Sequence, residues 1–215
     1  MALPPIGARL RAARVRRGVS VRGLAREIGV SASLISQIET EKSSPSVSTL
    51  YAVATALGVP IEDLFGEDAP STVDVEPAAV VAEGGGTALL TALATAQAGA
   101  PRLGPVVAPA QREVLTLDSG VTWELLGRVP DKHVDFLLIT YRPGGTSSSD
   151  GNLMRHSGTE FGFVVSGELT LTLGFDTHRL RAGDSVSFDS TTPHAYRNES
   201  TEPAIGVWFV LERSS

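Results

Sequence analysis

The segment 21–40, VRGLAREIGVSASLISQIET, spaces its apolar and small residues as two short, steeply crossed helices require. Leu24, Ala25 and Ile28 fall on one face of a first helix, with Ser20 placed to cap its start. Gly29 supplies the left-handed residue that ends it. Ser31 caps a second helix, whose Leu34, Ile35 and Ile38 share a side. The small Ala25, the glycine and the branched Ile35 and Ile38 let two backbones approach closely. This is helix-turn-helix spacing and it points to DNA reading. An ordinary helical hairpin is the alternative, and the flanking sequence decides between them.

Upstream, Ile6, Leu10 and Ala13 mark one face of a helix that stops at Gly18. Downstream, Pro45 and Ser46 open another, with Val47, Leu50, Val53 and Leu57 inward and Gly58 at its end. Pro60 introduces a last turn containing Ile61, Leu64 and Phe65. The expectation is a compact bundle of five helices. Over residues 6–65 the chain resembles the lambda-repressor-like (XRE) DNA-binding family. The helix-turn-helix, the ExxK-type stretch at 39–42 and the LxxxATALGVPxxxLF-like ending at 50–65 carry the resemblance.

Charge is divided unevenly. The whole chain carries −6, which by itself argues against nucleic acid. Residues 1–60, however, hold seven Arg and one Lys against Glu27, Glu39 and Glu41, a net +5. A cationic module joined to an anionic body suits a DNA reader. Cysteine is absent, which removes disulfides, cysteine metal ligands and thiol nucleophiles. With no apolar run long enough to span a membrane and no signal-like start, a cytoplasmic protein with no membrane partner is expected.

The expected domains are 1–66, a linker at 67–105 and 106–215. The linker is rich in Pro, Ala and Gly, with one possible short helix at 87–97, TALLTALATAQ. Beyond residue 106, β-branched and aromatic runs alternate with turn residues. Strands are expected near 112–117, 121–126, 134–141, 160–166, 168–174, 184–189, 194–198 and 204–212, with Gly167-Glu168 as a hairpin turn. Eight such strands predict an all-β jelly-roll barrel.

Two polar clusters stand on these strands. One is His156 to Glu160, followed by Gly167; the other is Gly183-Asp184, followed by His194 and Asn198. The pattern resembles the cupin family over residues 105–212. His156, Glu160, Gly167, Gly183, His194 and Asn198 occupy matching positions. Met154 stands where the first metal-binding histidine would be, the preceding glycine is shifted, and Asp189 and Thr191 replace a Pro and a Gly. The resemblance implies His156, Glu160 and His194 as the retained ligands of one divalent metal: iron, zinc, nickel or manganese. The alternative is a metal-free pocket whose His–Glu pair binds a polar effector. Met154 and, by strand parity, Tyr196 are expected on the pocket wall. Glu160, Gly162 and Val164 should face inward while Phe161, Phe163 and Val165 pack behind. His133 and His178 are expected at the surface or at strand ends.

An XRE domain followed by a cupin resembles a class of bacterial regulators in which the cupin senses a small molecule and pairs two subunits. A homodimer reading a pseudo-palindromic operator is therefore expected. In that family's docking, Ala32, Ser33, Ser36 and Gln37 reach base edges, and Ser20, Arg22, Ser31, Thr40 and Lys42 serve the DNA-contacting surface, chiefly at phosphates. Arg14 and Glu39 match positions that form a partly buried ion pair in related repressors. No catalytic residue is expected. The chain also resembles hydroxypropylphosphonate epoxidase, a mononuclear iron enzyme with the same domain pair. That enzyme uses a lysine near its first two helices, and here no lysine precedes Lys42. A cupin isomerase is a third reading, with an incomplete metal set.

Overall fold

The computed structural model describes residues 6–64, 106–128, 134–148 and 151–211. The helical part contains α1 (Ile6–Arg16), α2 (Val21–Glu27), α3 (Ala32–Glu39) and α4 (Val47–Leu57). Three serines start three of these helices. The hydroxyls of Ser20, Ser31 and Ser46 accept from the amides of Gly23, Leu34 and Thr49. Each bond satisfies an amide that the first helical turn leaves free, worth about 1 kcal/mol. Gly58 closes α4 at φ 57°, a conformation that costs glycine nothing. Leu10, Ala13, Leu24, Ala25, Ile35, Ile38, Leu50, Val53 and Leu57 form the buried centre.

The fifth helix is not formed. Ile61–Leu64 is a single 3-10 turn, so the described bundle has four α-helices. Ile61 and Leu64 are buried as their spacing required. Four residues cannot recover the cost of nucleating an α-helix, and the tighter turn suffices to bury both side chains.

The second part is an antiparallel β structure of two sheets. Its strands are β1 (Val114–Leu117), β2 (Val121–Gly127), β3 (Val134–Tyr141), β4 (Thr159–Ser166), β5 (Glu168–Leu173), β6 (Asp176–Arg181), β7 (Ser185–Asp189), β8 (His194–Arg197) and β9 (Ala204–Leu211). One sheet runs β1-β2-β3-β9-β4-β7, the other β6-β5-β8. Their inner faces bury Trp123, Leu125, Leu137, Ile139, Tyr141, Val164, Leu169, Leu171, Tyr196 and Trp208.

Three sequence expectations need correction here. β6 was not anticipated: DTHRLR shows no apolar alternation, and only Leu180 is buried on this edge strand. Gly167 is not a hairpin turn. β4 pairs with β7 and β9, while β5 pairs with β6 and β8, so the chain switches sheets at Gly167. There φ is +77°, and a Cβ would stand 2.4 Å from the Pro203 carbonyl oxygen. Phe161, Phe163 and Val165 are not packed behind β4: they lie on an open outer face. The linker 67–105, with its expected helix at 87–97, and His133 lie outside the described residues.

Candidate functional site

The helical part presents α3 to solvent. Ser31, Ser33, Ser36, Gln37, Thr40 and Lys42 are exposed, Ala32 is half-buried, and Ser20 and Arg22 are exposed at the start of α2. Ile35 and Ile38 anchor the opposite side of α3. Gln37 Nε2 stands 3.4 Å from Ser33 Oγ, and the Thr40 hydroxyl donates to the Ser36 carbonyl at 2.7 Å. Small hydroxyls and one amide on a helix facing solvent suit base-edge hydrogen bonds, and neighbouring cations suit phosphates. Arg14 fixes the far end of this helix. Its Nε and Nη2 donate to the two Glu39 carboxylate oxygens at 2.5 and 2.8 Å, and its Nη1 donates to the Val19 carbonyl. The expected ion pair is present and largely buried.

The barrel brings its three expected ligands together. His156, Glu160 and His194 are buried, and one donor atom from each lies within 4.8 Å of the others. Glu160 comes from β4 and His194 from β8, while His156 lies just before β4, where its amide donates to the Ser190 carbonyl. Glu160 Oε1 accepts from Tyr196 Oη at 2.7 Å and from Trp208 Nε1 at 2.9 Å. Glu160 Oε2 faces His156 Nε2 at 3.4 Å and His194 Nε2 at 3.3 Å. Burial alone would raise the Glu160 pKa, but His156 and His194 outweigh it and hold the carboxyl down to about 2. The same burial, with the Glu160 charge close by, pushes the Tyr196 and Tyr141 phenols up, so both remain protonated donors.

The imidazole tautomers bear on metal binding. His194 Nδ1 lies 2.8 Å from the Thr192 carbonyl oxygen, and His156 Nδ1 lies 3.3 Å from that of Ser157. A carbonyl only accepts, so each Nδ1 carries a proton, and Nε2 is the atom that each ring, once neutral, would turn to a cation. Both Nε2 atoms are buried without a hydrogen-bond partner. With the rings neutral, two lone pairs and an ionised oxygen converge on one point in a buried site. The donor set of two imidazoles and one carboxylate therefore fits a divalent metal.

Met154 is buried, pairs by backbone with His194 and lines the cavity, as does Tyr196. Asn198 belongs to a turn instead: its amide nitrogen donates to the Tyr141 and Glu202 carbonyls. His178 is exposed on β6.

Sequence reading missed three participants. Trp208 is placed by β9, whose Ala204, Gly206, Trp208 and Val210 face inward. Its ring lies over Gly162, where a Cβ would come within 2.9 Å of the indole. The alternation in β9 was a usable signal for it. Asp135 lies on the expected strand 134–141 but was not singled out, and Tyr51 comes from α4, which sequence reading gave no reason to bring to the barrel. Its ring stacks on His156 with centroids 4.2 Å apart. Its hydroxyl is 3.4 Å from Asp135 Oδ2.

The comparisons with known proteins agree with this architecture. A helix-turn-helix family model (HTH_3) matches residues 10–64 and a cupin domain model (Cupin_2) matches residues 137–210. The HTH-type transcriptional regulator PuuR of Escherichia coli K12 is 29% identical over 196 residues, covering 90% of this chain and 88% of PuuR. SutR, another HTH-type transcriptional regulator of that organism, is 25% identical over 189 residues, covering 88% and 84%. A crystal structure of an HTH_3 family transcriptional regulator from Vibrio cholerae superposes with a TM-score of 0.61 at 21% identity. It covers 97% of this chain and 96% of that one, a likeness in fold. Among the described residues, no helix is long and apolar enough to cross a membrane. The chain thus joins an XRE-type helix-turn-helix domain of the HTH_3 family to a Cupin_2 domain and is homologous to the transcriptional regulator PuuR.

Proposed function

We propose that this chain is a sequence-specific transcriptional regulator. It reads a pseudo-palindromic operator as a homodimer, and its barrel binds a small polar effector together with a divalent metal. The helical domain, near residues 1–66, and the cupin domain, near 106–215, are joined through 67–105. The observation that carries the reading is the exposed polar face of α3, Ser33, Ser36 and Gln37, held by a buried ion pair. Gln37 is suited to bidentate contact with adenine, Ser33 and Ser36 to either donor or acceptor, and Ala32 to a thymine methyl. Ser20, Arg22, Ser31, Thr40 and Lys42 serve the backbone. In the barrel, His156, Glu160 and His194 would hold the metal, which supplies a Lewis acid with open positions for an effector's oxygen or nitrogen. Tyr196 and Trp208 orient Glu160 for that role.

The pairing surface is the outer face of β3, β9 and β4, and its occupant is a second copy of this chain. Phe136, Phe161, Phe163, Val165, Phe209 and Leu211 are each 37–50% exposed there. Phe136, Phe209 and Phe161 are register neighbours across the three strands, with ring centroids 6.1 and 6.4 Å apart. Together these side chains expose on the order of 500 Å² of apolar surface, the size of a functional patch and more than half of one partner's share of a standard interface.

Selection of bound sequences from a random DNA pool tests the central claim, with metal analysis of the purified protein alongside. A two-fold-symmetric motif is expected. Gln37→Ala should lose about 1–3 kcal/mol at one base position, while Lys42→Ala should weaken all sequences alike and flatten the salt dependence. Equal losses on selected and random DNA for Gln37→Ala would remove it as a base reader. Oxygen-dependent turnover with iron, without any sequence selection, would replace the regulator with an enzyme.

A further inference from the structure

Helix α4 belongs to two interiors. Leu50, Val53, Ala54 and Leu57 are buried, and α4 packs against α1 and α2. Val47 and Tyr51, one turn apart, line the cavity inside the barrel, with Trp123, Leu137, Met154, Glu160, Tyr196 and Trp208 among its other walls. The Tyr51 ring is nearly parallel to the His156 imidazole, at 6°, and meets Trp123 edge-on at 5.7 Å. The segment leading into α4 is bonded to the barrel through its backbone. Ser48 donates its amide to the Ser147 carbonyl at 2.9 Å, and the Asp118 amide donates to the Pro45 carbonyl at 3.2 Å.

This roof leaves little room. The cavity has room for roughly one water molecule. Among the described residues, Val47 and Tyr51 close the α4 side of this cavity beside Glu160, and Tyr51 covers the His156 ring, so a larger ligand entering from that side must displace them. Tyr51 cannot withdraw far alone, because it is buried on a helix whose other residues are built into the bundle.

We infer that α4, through Tyr51, is the lid of the barrel site, so that a ligand larger than a water and the seated DNA-binding bundle exclude one another. A ligand that fills the pocket selects the state in which α4 has lifted. Lifting α4 carries the bundle, and hence α3, to a new position relative to the barrel. Operator DNA that requires the seated arrangement is then released by ligand, and by linkage it opposes ligand binding to the same degree. The sensor contact on this account is Tyr51 itself, with no relay of intervening residues. The consequence at DNA rests on the regulator reading; the lid does not, and it is tested without DNA.

The probe is diethyl pyrocarbonate, which acylates neutral imidazoles, applied to chelator-treated full-length protein and mapped by peptide. His178, exposed on β6, serves as an internal control. Tyr51→Ala should speed modification of His156 and His194 at least tenfold and leave His178 unchanged. Tyr51→Phe, which keeps the stack and loses only the hydroxyl, should stay within about threefold of the parent. Ser48→Cys with Ser147→Cys tests the closed state independently, and the chain has no other cysteine to compete. Once oxidised, this pair should slow His156 modification at least tenfold, and reduction should restore it. Equal His156 rates in the parent, Tyr51→Ala and the cross-linked pair would overturn the lid. Gated rates in a protein that selects no DNA sequence would keep the lid and remove the regulator.

Discussion

Arg14 and Glu39 join the end region of α1 to the end of α3 by a two-point contact, with side-chain exposures of only 10% and 7%. Hydrogen bonding to Glu39 raises the Arg14 pKa further, so the pair stays ionised. Two unit charges about 4 Å apart attract by about 4 kcal/mol at an effective dielectric of 20, and desolvation of both groups cancels much of that. Removing one partner is costlier than the net value of the pair. Arg14→Met strands the Glu39 carboxylate and also deprives the Val19 carbonyl of its donor. The expected loss is about 3–5 kcal/mol, a large part of a small domain's stability. Glu39→Met strands the guanidinium and should cost a similar amount. The double replacement should cost less than the sum of the two by about 2–4 kcal/mol, since neither charge is left alone. Urea unfolding followed by far-UV circular dichroism reads the helices. Both tryptophans lie in the barrel, and Trp208, which does not meet Tyr51, follows that domain in a Trp123→Phe background. Additivity of the two single losses within about 0.5 kcal/mol would refute the argument.

Gly162→Ala should cost about 1–3 kcal/mol in the barrel, because the new Cβ meets the Trp208 indole at 2.9 Å and Val186 at 3.0 Å; an unchanged urea midpoint by tryptophan fluorescence would contradict this. Glu160 has a folded pKa of about 2 against an ordinary value of 4.5. Its depressed pKa therefore stabilises the metal-free barrel above about pH 4.5, and that stabilisation is lost as pH falls toward 2, on the order of 3 kcal/mol in all. Glu160→Gln should flatten the dependence of the barrel's melting temperature over that window, and an unaltered slope would show that other groups carry it. On the proposed pairing, the parent should sediment as a dimer and Phe161→Asp or Phe209→Asp as a monomer in analytical ultracentrifugation, with operator affinity reduced at least tenfold. A variant that remains dimeric places the pairing surface elsewhere.

The parts of this protein that depend on neighbours in sequence were legible without a structure. Serine caps, the glycine stops and the apolar faces of α1 to α4 act over three or four residues, and their spacing is written directly in the chain. The same holds for the parity of β4, which turned Glu160, Gly162 and Val164 to one side, whereas the three candidate ligands were given by the resemblance to cupins and not by local pattern. The bonds that finish the site act across the fold. Tyr196 and Trp208 reach Glu160 from 36 and 48 residues away, and Tyr51 meets His156 from the other domain. Nothing local distinguishes Gly167 as a corner from Gly167 as a hairpin, because the difference lies in which strands accept the hydrogen bonds of β4 and β5. Likewise Phe161 and Phe163 read as core residues by composition, and only the arrangement of the two sheets leaves their face open. Local pattern specifies a helix or a strand face, since its energy is settled within a few residues; which faces meet is decided by packing the whole chain, where Val47 and Tyr51 of a bundle helix find their place against the barrel.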